Sequence, residues 1–382
     1  MNLVEYPGDG PSWWSQGGGQ MLEACTAEVD GGLDAESGGD AGWIRDVRRA
    51  IRTAGVDLFR PSPVRYWTDF LVSLVAAYVA SGVYLTSPLG SWPQVVAFPI
   101  AVFWLYRLGS LVHEVCHLGE HEMPLFKAAW NVLGGVMILM PSPFFTRHHR
   151  DHHSQRYYGT PQDPEYAANM VEAGNLSSVL GYALKIMAMP IVVFLRFLLV
   201  PFTFLTPGVR EWTLRHASAF TFNRHYERRL TATDRRAILA AEIPCCIRAA
   251  LIPTLVLLGL NPWSRIPLLY ALAVATVALN HMRFLADHHC TGDGSRSDME
   301  SHITDSCNFT TNDPLTLLFF PFSIRYHALH HLFPSMPYHN LRRAHEHLVA
   351  TLPSDSPYRS LERPGWWSVA RGALFRQAAH AA

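Results

Sequence analysis

Histidine carries the chemistry legible in this chain: twenty of its 382 residues are histidine, and many of them are clustered. The stretch LVHEVCHLGEH holds His113, Glu114 and His117 as H-E-x-x-H, the spacing that sets two imidazoles round a zinc with a glutamate as base in metalloproteases. RHHRDHH places His149, His152 and His153 as H-x-x-H-H, and YHALHHL repeats that spacing with His327, His330 and His331. Positions i, i+3 and i+4 share one side of a helix. His288 follows the last long apolar segment. A catalytic zinc takes three protein ligands and keeps one position open, so a protease would leave both triplets without a task. Nine imidazoles suit two metal ions with four or five ligands each, and imidazole serves iron as well as zinc or copper. A carboxylate di-iron bundle needs two E-x-x-H motifs and two further glutamates, whereas only Glu114–His117 is suitably placed here. The opening stretch therefore reads as the first of three histidine boxes at a dimetal site.

Apolar helices must position these boxes. Four segments reach the roughly 20 residues a bilayer crossing needs: 67–86, 92–112, 238–260 and 266–285. The links SPLGS and NPWSR are so short that each pair forms a hairpin. Seven arginines (Arg210, Arg215, Arg224, Arg228, Arg229, Arg235 and Arg236) lie between the hairpins, against one, Arg265, at the edge of a short link. The positive-inside rule puts that connection, both chain ends and all the boxes on the cytosolic side. Two further apolar stretches, Leu125–Met140 (short) and Leu180–Leu205 (broken by Lys185, Pro190, Arg196 and Pro201), read as interfacial or re-entrant helices. A crossing by either alone would carry later histidines to the opposite face. No internal repeat is visible.

Composition agrees with a membrane protein: 49% of residues are hydrophobic and 16% charged. Zero net charge leaves no electrostatic footprint for nucleic acid. The six cysteines form no C-x-x-C, and their pattern fits a reducing compartment. Residues 1–42 carry eight acids and no Lys or Arg, the composition of a disordered tail rather than a signal peptide. Residues 43–350 form the expected catalytic domain, and 351–382 a cytosolic C-terminal tail.

The motifs HEVCHL, AWNVLGG, RHHRDHHSQRYYGTPQDPEY, DSCNF and RYHALHHLFPSMPYHNL resemble, in order and spacing, the integral-membrane fatty acid desaturase and hydroxylase superfamily, bacterial desaturases above all. The resemblance covers roughly 67–348. It implies an all-α fold with four spans in two hairpins under a cytosolic helical cap, in the cytoplasmic (inner) membrane. It implies two ferrous ions held mainly by histidine, dioxygen as co-substrate, a fatty acyl substrate, and an external donor such as a ferredoxin, cytochrome or flavoprotein reductase. Residue by residue it gives the ligands His113, His117, His149, His152, His153, His288, His327, His330 and His331. His289 remains an alternative to His288. Relatives often carry a polar residue such as Asn one turn before His288; Phe284 stands there in this chain.

Desaturation is the first expectation. Hydroxylation and oxidative decarboxylation to a terminal alkene are alternatives on the same boxes, and a zinc protease is a distant one. The chain shows no nucleotide-binding glycine motif, iron–sulfur cysteine cluster or haem-binding domain, so reductant comes from a partner. The arginine-rich connection is a docking candidate, although topology control explains it more simply. Glu114, Asp151 and Asp305 are candidates to accept hydrogen bonds from ligand imidazoles, and His281 falls two turns before His288. His121 is expected at the surface, and His148 is expected to point away from the metals. His339, His345 and His347 are expected on a solvated helix, Cys245 and Cys246 as small apolar residues, and Trp366 and Trp367 as an interfacial anchor.

Overall fold

Residues 41–375, apart from 168–170, 173, 222, 291 and 293, are described by a computed structural model. The expected acidic tail lies outside them except for its last two residues. An amphipathic helix α1 (Gly42–Thr53) comes first, burying Ile44, Val47, Ala50 and Ile51 and leaving most of its arginines outward. The first hairpin follows as α2 (Pro63–Thr86) and α3 (Trp92–His117). Both start with proline in the first turn, where the missing N–H costs nothing. Small residues Ala80, Ala97 and Ala101 let these helices approach closely. A polar knot fixes the cap end of the hairpin: Arg107 on α3 meets the Asp69 carboxylate of α2 at 2.6 Å, and the same carboxylate accepts from Tyr338 at 2.5 Å.

The stretch Leu125–Met140 is indeed too short for a span. It is a helix α4 (Pro124–Ala129) continued by a π-helical turn, Trp130–Gly135, whose Trp130 indole donates to the Leu108 carbonyl at 3.0 Å. Box two sits on a seven-residue helix, α5 (Thr146–His152). The broken stretch forms the continuous helix α6 (Leu176–Leu198) and a short α7 (Val200–Thr203). Next come α8 (Pro207–His216), α9 (Ala232–Leu257, opened by a Thr231–Asp234 capping box) and α10 (Arg265–Asp287). Among the described residues, five helices are therefore long and apolar enough to cross a membrane, α6 being the fifth beside the four expected. Their outward faces, such as Leu71, Val75, Leu184, Ile191, Ile243 and Ile247, are exposed and apolar.

Beyond α10 the elements are short: α11 (Met299–Thr304), β1 (Asn308–Phe309), α12 (Pro314–Phe319), α13 (His327–Leu332), α14 (Tyr338–Thr351), β2 (Glu362–Arg363) and α15 (Trp366–Phe375). β1 and β2 pair in parallel.

The structure corrects several sequence expectations here. In the C-terminal segment expected as a cytosolic tail, Tyr358, Leu361, Val369 and Ala370 are buried and β2 joins β1. Trp366 is a core residue whose indole donates to the Met282 carbonyl at 2.7 Å; only Trp367 is exposed. Helix α14 is not solvated on its histidine face. His345 is buried against the Tyr358 hydroxyl at 2.9 Å, His339 accepts from the Ser62 amide, and His347 donates to the Ala50 carbonyl. Cys245 is a buried core residue, as expected. Much of the arginine-rich connection is occupied internally. Arg210 and Arg196 close on the buried Glu242, Arg215 and Arg235 pair with Glu211, and Arg228 is buried.

Candidate metal centre

The nine histidines of the three boxes and His288 converge from four elements into two groups. One contains His113, His117, His149, His153 and His330; the other contains His152, His288, His327 and His331. Within each group the ligand atoms lie within 4.8 Å of one another. Helical geometry explains the division. At about 100° per residue, i and i+4 point nearly the same way while i+3 points to the other side of i. In box two, His149 and His153 therefore serve the five-histidine group and His152 the four-histidine group. Box three does the reverse, with His327 and His331 in the four-histidine group and His330 in the five. The groups are adjacent, with the His153 and His331 rings stacked 4.3 Å apart. His288 reaches its group from the end of α10, where the chain turns extended (φ −132°).

Five of the nine rings are aimed by what their other nitrogen does. His113 Nδ1 meets Glu114 at 3.0 Å, His149 Nδ1 meets Glu165 at 2.8 Å and His152 Nδ1 meets Asp163 at 2.8 Å. His288 Nδ1 donates to the Tyr158 hydroxyl at 2.8 Å, which itself donates to Asp305 at 2.9 Å. His302 contacts His331 Nδ1 at 2.8 Å. A neutral imidazole that donates through Nδ1 carries a lone pair on Nε2. His152 Nε2 and His288 Nε2 nonetheless face each other at 3.2 Å. In the other group, His149 Nε2 faces His117 Nε2 at 3.0 Å and His153 Nε2 at 3.1 Å. Converging lone pairs repel unless a cation lies among them, and the buried Nε2 of His113 has no hydrogen-bond partner. The donor sets fit metal ions, through nitrogen alone, with carboxylates one bond further out.

The electrostatics favour the ligating forms. Burial holds the His149 imidazole down at about 3 despite Glu165. Burial pushes the Glu165 carboxyl up, but His149 and His148 outweigh it and hold the group well below its usual range. Burial, then neighbouring imidazoles, lower His153, His330 and His331. His152 is the exception, because Asp163 outweighs burial and raises it.

Of the expected hydrogen-bond acceptors, Glu114 touches a ligand directly and Asp305 acts through Tyr158. Asp151 touches none: it accepts a hydrogen bond from Tyr226 at 2.8 Å and forms an ion pair with Arg147 at 3.1 Å. His281 is buried against Tyr182 at 2.7 Å, outside both groups. His289 lies beside Arg363 and Cys307, also outside them, so His288 is the member of the pair that joins. His121 is exposed. His148 points away from both groups but is buried, bridging the Phe144 carbonyl and Glu165. Sequence reasoning missed Asp163, Glu165, Tyr158 and His302. The first three lie in YYGTPQDPEY directly after box two, and two acids among prolines and tyrosines there were the available signal. Asp163 folds that loop: its carboxylate takes the Gly159 amide and the Glu165 amide, each at 2.9 Å, as well as His152. Gly159 has φ +69°, a conformation that favours glycine. His302 had no such signal.

The glutamate of the H-E-x-x-H motif is pinned. Besides His113, it accepts from the Tyr66 hydroxyl at 3.1 Å and the Tyr338 amide at 3.2 Å. Such a carboxylate orients a ligand and is badly placed to activate water.

With this geometry in hand, the profile of the fatty acid desaturase family matches residues 89–362. The chain belongs to that family. A ceramide hydroxylase of Caulobacter vibrioides is 33% identical over 325 residues, covering 84% of this chain and 91% of that protein. No solved structure matches. Family membership makes the protein an integral-membrane oxidoreductase of lipid C–H bonds, by desaturation or hydroxylation, with histidine clusters that can bind metal.

Proposed function

We propose that the protein is a membrane-bound, O2-dependent di-iron hydroxylase of a ceramide-type lipid. The observation that carries the metal chemistry is the gathering of nine imidazoles into groups of five and four, with lone pairs converging in each. The likeness to a ceramide hydroxylase over most of both chains favours hydroxylation.

Breaking an unactivated C–H bond takes an oxidant that no side chain supplies. Two irons held by His113, His117, His149, His153 and His330, and by His152, His288, His327 and His331, would supply it from O2. The protein's own part is to aim the rings, five of them through Glu114, Glu165, Asp163, Tyr158 and His302, and to keep the site buried. One oxygen atom goes to carbon and the other leaves as water, with two protons and two electrons delivered by an external donor protein. Desaturation is the second reading, supported by the family description. It consumes the same O2, protons and electrons but removes a second hydrogen and releases two waters.

Four crossings and a cytosolic site belong to this reading. Three long apolar helices (α6, α9 and α10) separate His152 from His288, yet those rings meet. That meeting supports an even number of crossings between them, and with it a reading in which one of the three lies along the membrane. Lys185, exposed near the middle of α6, favours α6, since mid-bilayer charge is costly.

Expression in a host with defined lipids, followed by mass spectrometry of its ceramides and acyl lipids, tests the assignment. Ceramide that gains one oxygen is the expected product. Loss of two hydrogens would move the assignment to desaturation, and an unchanged lipid profile with the donor supplied would overturn both.

A further inference from the structure

The geometry points to Asn223 as a positioning residue for the metal pair, acting through the loop that aims the second histidine box. This inference rests on the dimetal reading above.

Two of the three carboxylates that meet ligand rings directly, Asp163 and Glu165, sit on one loop after α5. That loop contains Pro161 and Pro164, which bring no N–H, and three of its carbonyls, those of Pro161, Asp163 and Pro164, take donors from outside it. The connection between α8 and α9, some sixty residues on and without a ligand of its own, supplies them. The buried Asn223 amide spends both of its hydrogens there, on the Pro161 carbonyl and the Asp163 carbonyl, each at 2.7 Å. Its oxygen accepts from the His225 amide at 2.9 Å. Thr221 donates to the Pro164 carbonyl at 2.5 Å. The same connection also grips the other half of the unit. Tyr226 holds Asp151 on α5 at 2.8 Å, and Arg228 holds the Pro143 carbonyl just before α5 at 2.7 Å.

The rings of box two lie on α5 and their acceptors on the loop. A third segment clamps one to the other. Asparagine suits the position because two carbonyl oxygens converge on one point and require a group with two N–H bonds. An aspartate has the same shape but would set acceptor against acceptor. Asn223 thus fixes the distance from Asp163 to His152 and from Glu165 to His149, one ligand in each group.

The test is Asn223→Asp in the full-length, iron-loaded protein in detergent. The readouts are iron affinity by chelator competition and the iron Mössbauer spectrum. Loss of a group that holds a ligand directly costs about 10–100-fold in affinity; Asn223 acts one step further out, so a loss of about tenfold with a changed spectrum is expected. Arg224→Ala, an exposed neighbour on the same connection, should leave both readouts unchanged. Wild-type affinity and spectrum in Asn223→Asp would overturn the inference. If that variant does not fold, Thr221→Val and Asn223→Ser decide by the same readouts, and wild-type values in both would overturn it equally. A wild-type protein that binds no iron pair fails the dimetal reading itself. An intact iron pair indifferent to these substitutions fails only the role of Asn223.

Discussion

Glu114 and Tyr158 show how much of this site is decided by atoms that never reach a metal. Glu114 carries the letter that makes the first box look like a protease, yet all three of its observed partners are donors that lock it in place. Glu114→Gln keeps an acceptor for His113, so it should lower lipid oxidation by no more than about 10–100-fold and keep most of the iron. Complete loss of activity with full metal content would restore a base role to this residue and count against the assignment. Tyr158 bears on the four-histidine group in two ways, directly through its hydroxyl on His288 and indirectly through its ring, stacked 3.6 Å from His302, which meets His331. Tyr158→Phe removes only the first contact. Iron affinity should fall by about tenfold or more while thermal stability changes little, as measured by chelator competition and unfolding in detergent. An unchanged affinity would mean that Asp305 has no influence on the metal pair.

Among the elements, the short helices α5 and α13 were readable because their histidines repeat at helical spacing. Replacing His152 or His330 by Ala should reduce iron below two per chain and abolish product. His121→Ala should do neither, being exposed and outside both groups. Metal analysis that finds one zinc per chain, indifferent to His330→Ala, would return the first box to the proteases. The hairpin α2–α3 and the helices α9 and α10 were legible for a similar reason, since long apolar runs between short links allow few arrangements. What hid were partners joined only by tertiary folding. Asp163 and Glu165 lie 11 and 16 residues from the rings they hold, in a loop without periodicity, and Tyr158 lies 130 residues from His288. His345 looked solvated because α14 is rich in charge, whereas the C-terminal segment that covers it carries no periodic signal. The separation of each triplet between two groups was also missed, since i, i+3 and i+4 share a helical side but not a direction.

At the scale of the whole molecule, the meeting of His152 with His288 constrains how the chain threads a bilayer. In the proposed arrangement of four crossings, both short links lie on the far side from the histidines. Single cysteines at Leu89 and Leu260, both well exposed, should therefore react with an impermeant reagent from the non-cytosolic side, in a background lacking other accessible cysteines. A cysteine at Lys185 should not react from that side. Labelling of Leu89→Cys from the cytosol would invert the topology. The crossed assignment of the two triplets has a further consequence for how the protein acquires its metal. In the dimetal reading, because the α5 and α13 triplets each give rings to both groups, an ion bound at one group orders most of the other. The first ion taken up therefore prepares the place of the second, and the first ion lost disturbs the one that stays. Uptake should be cooperative, with chains holding a single ion scarce at every stage of a titration, so that the centre exists as a pair or hardly at all.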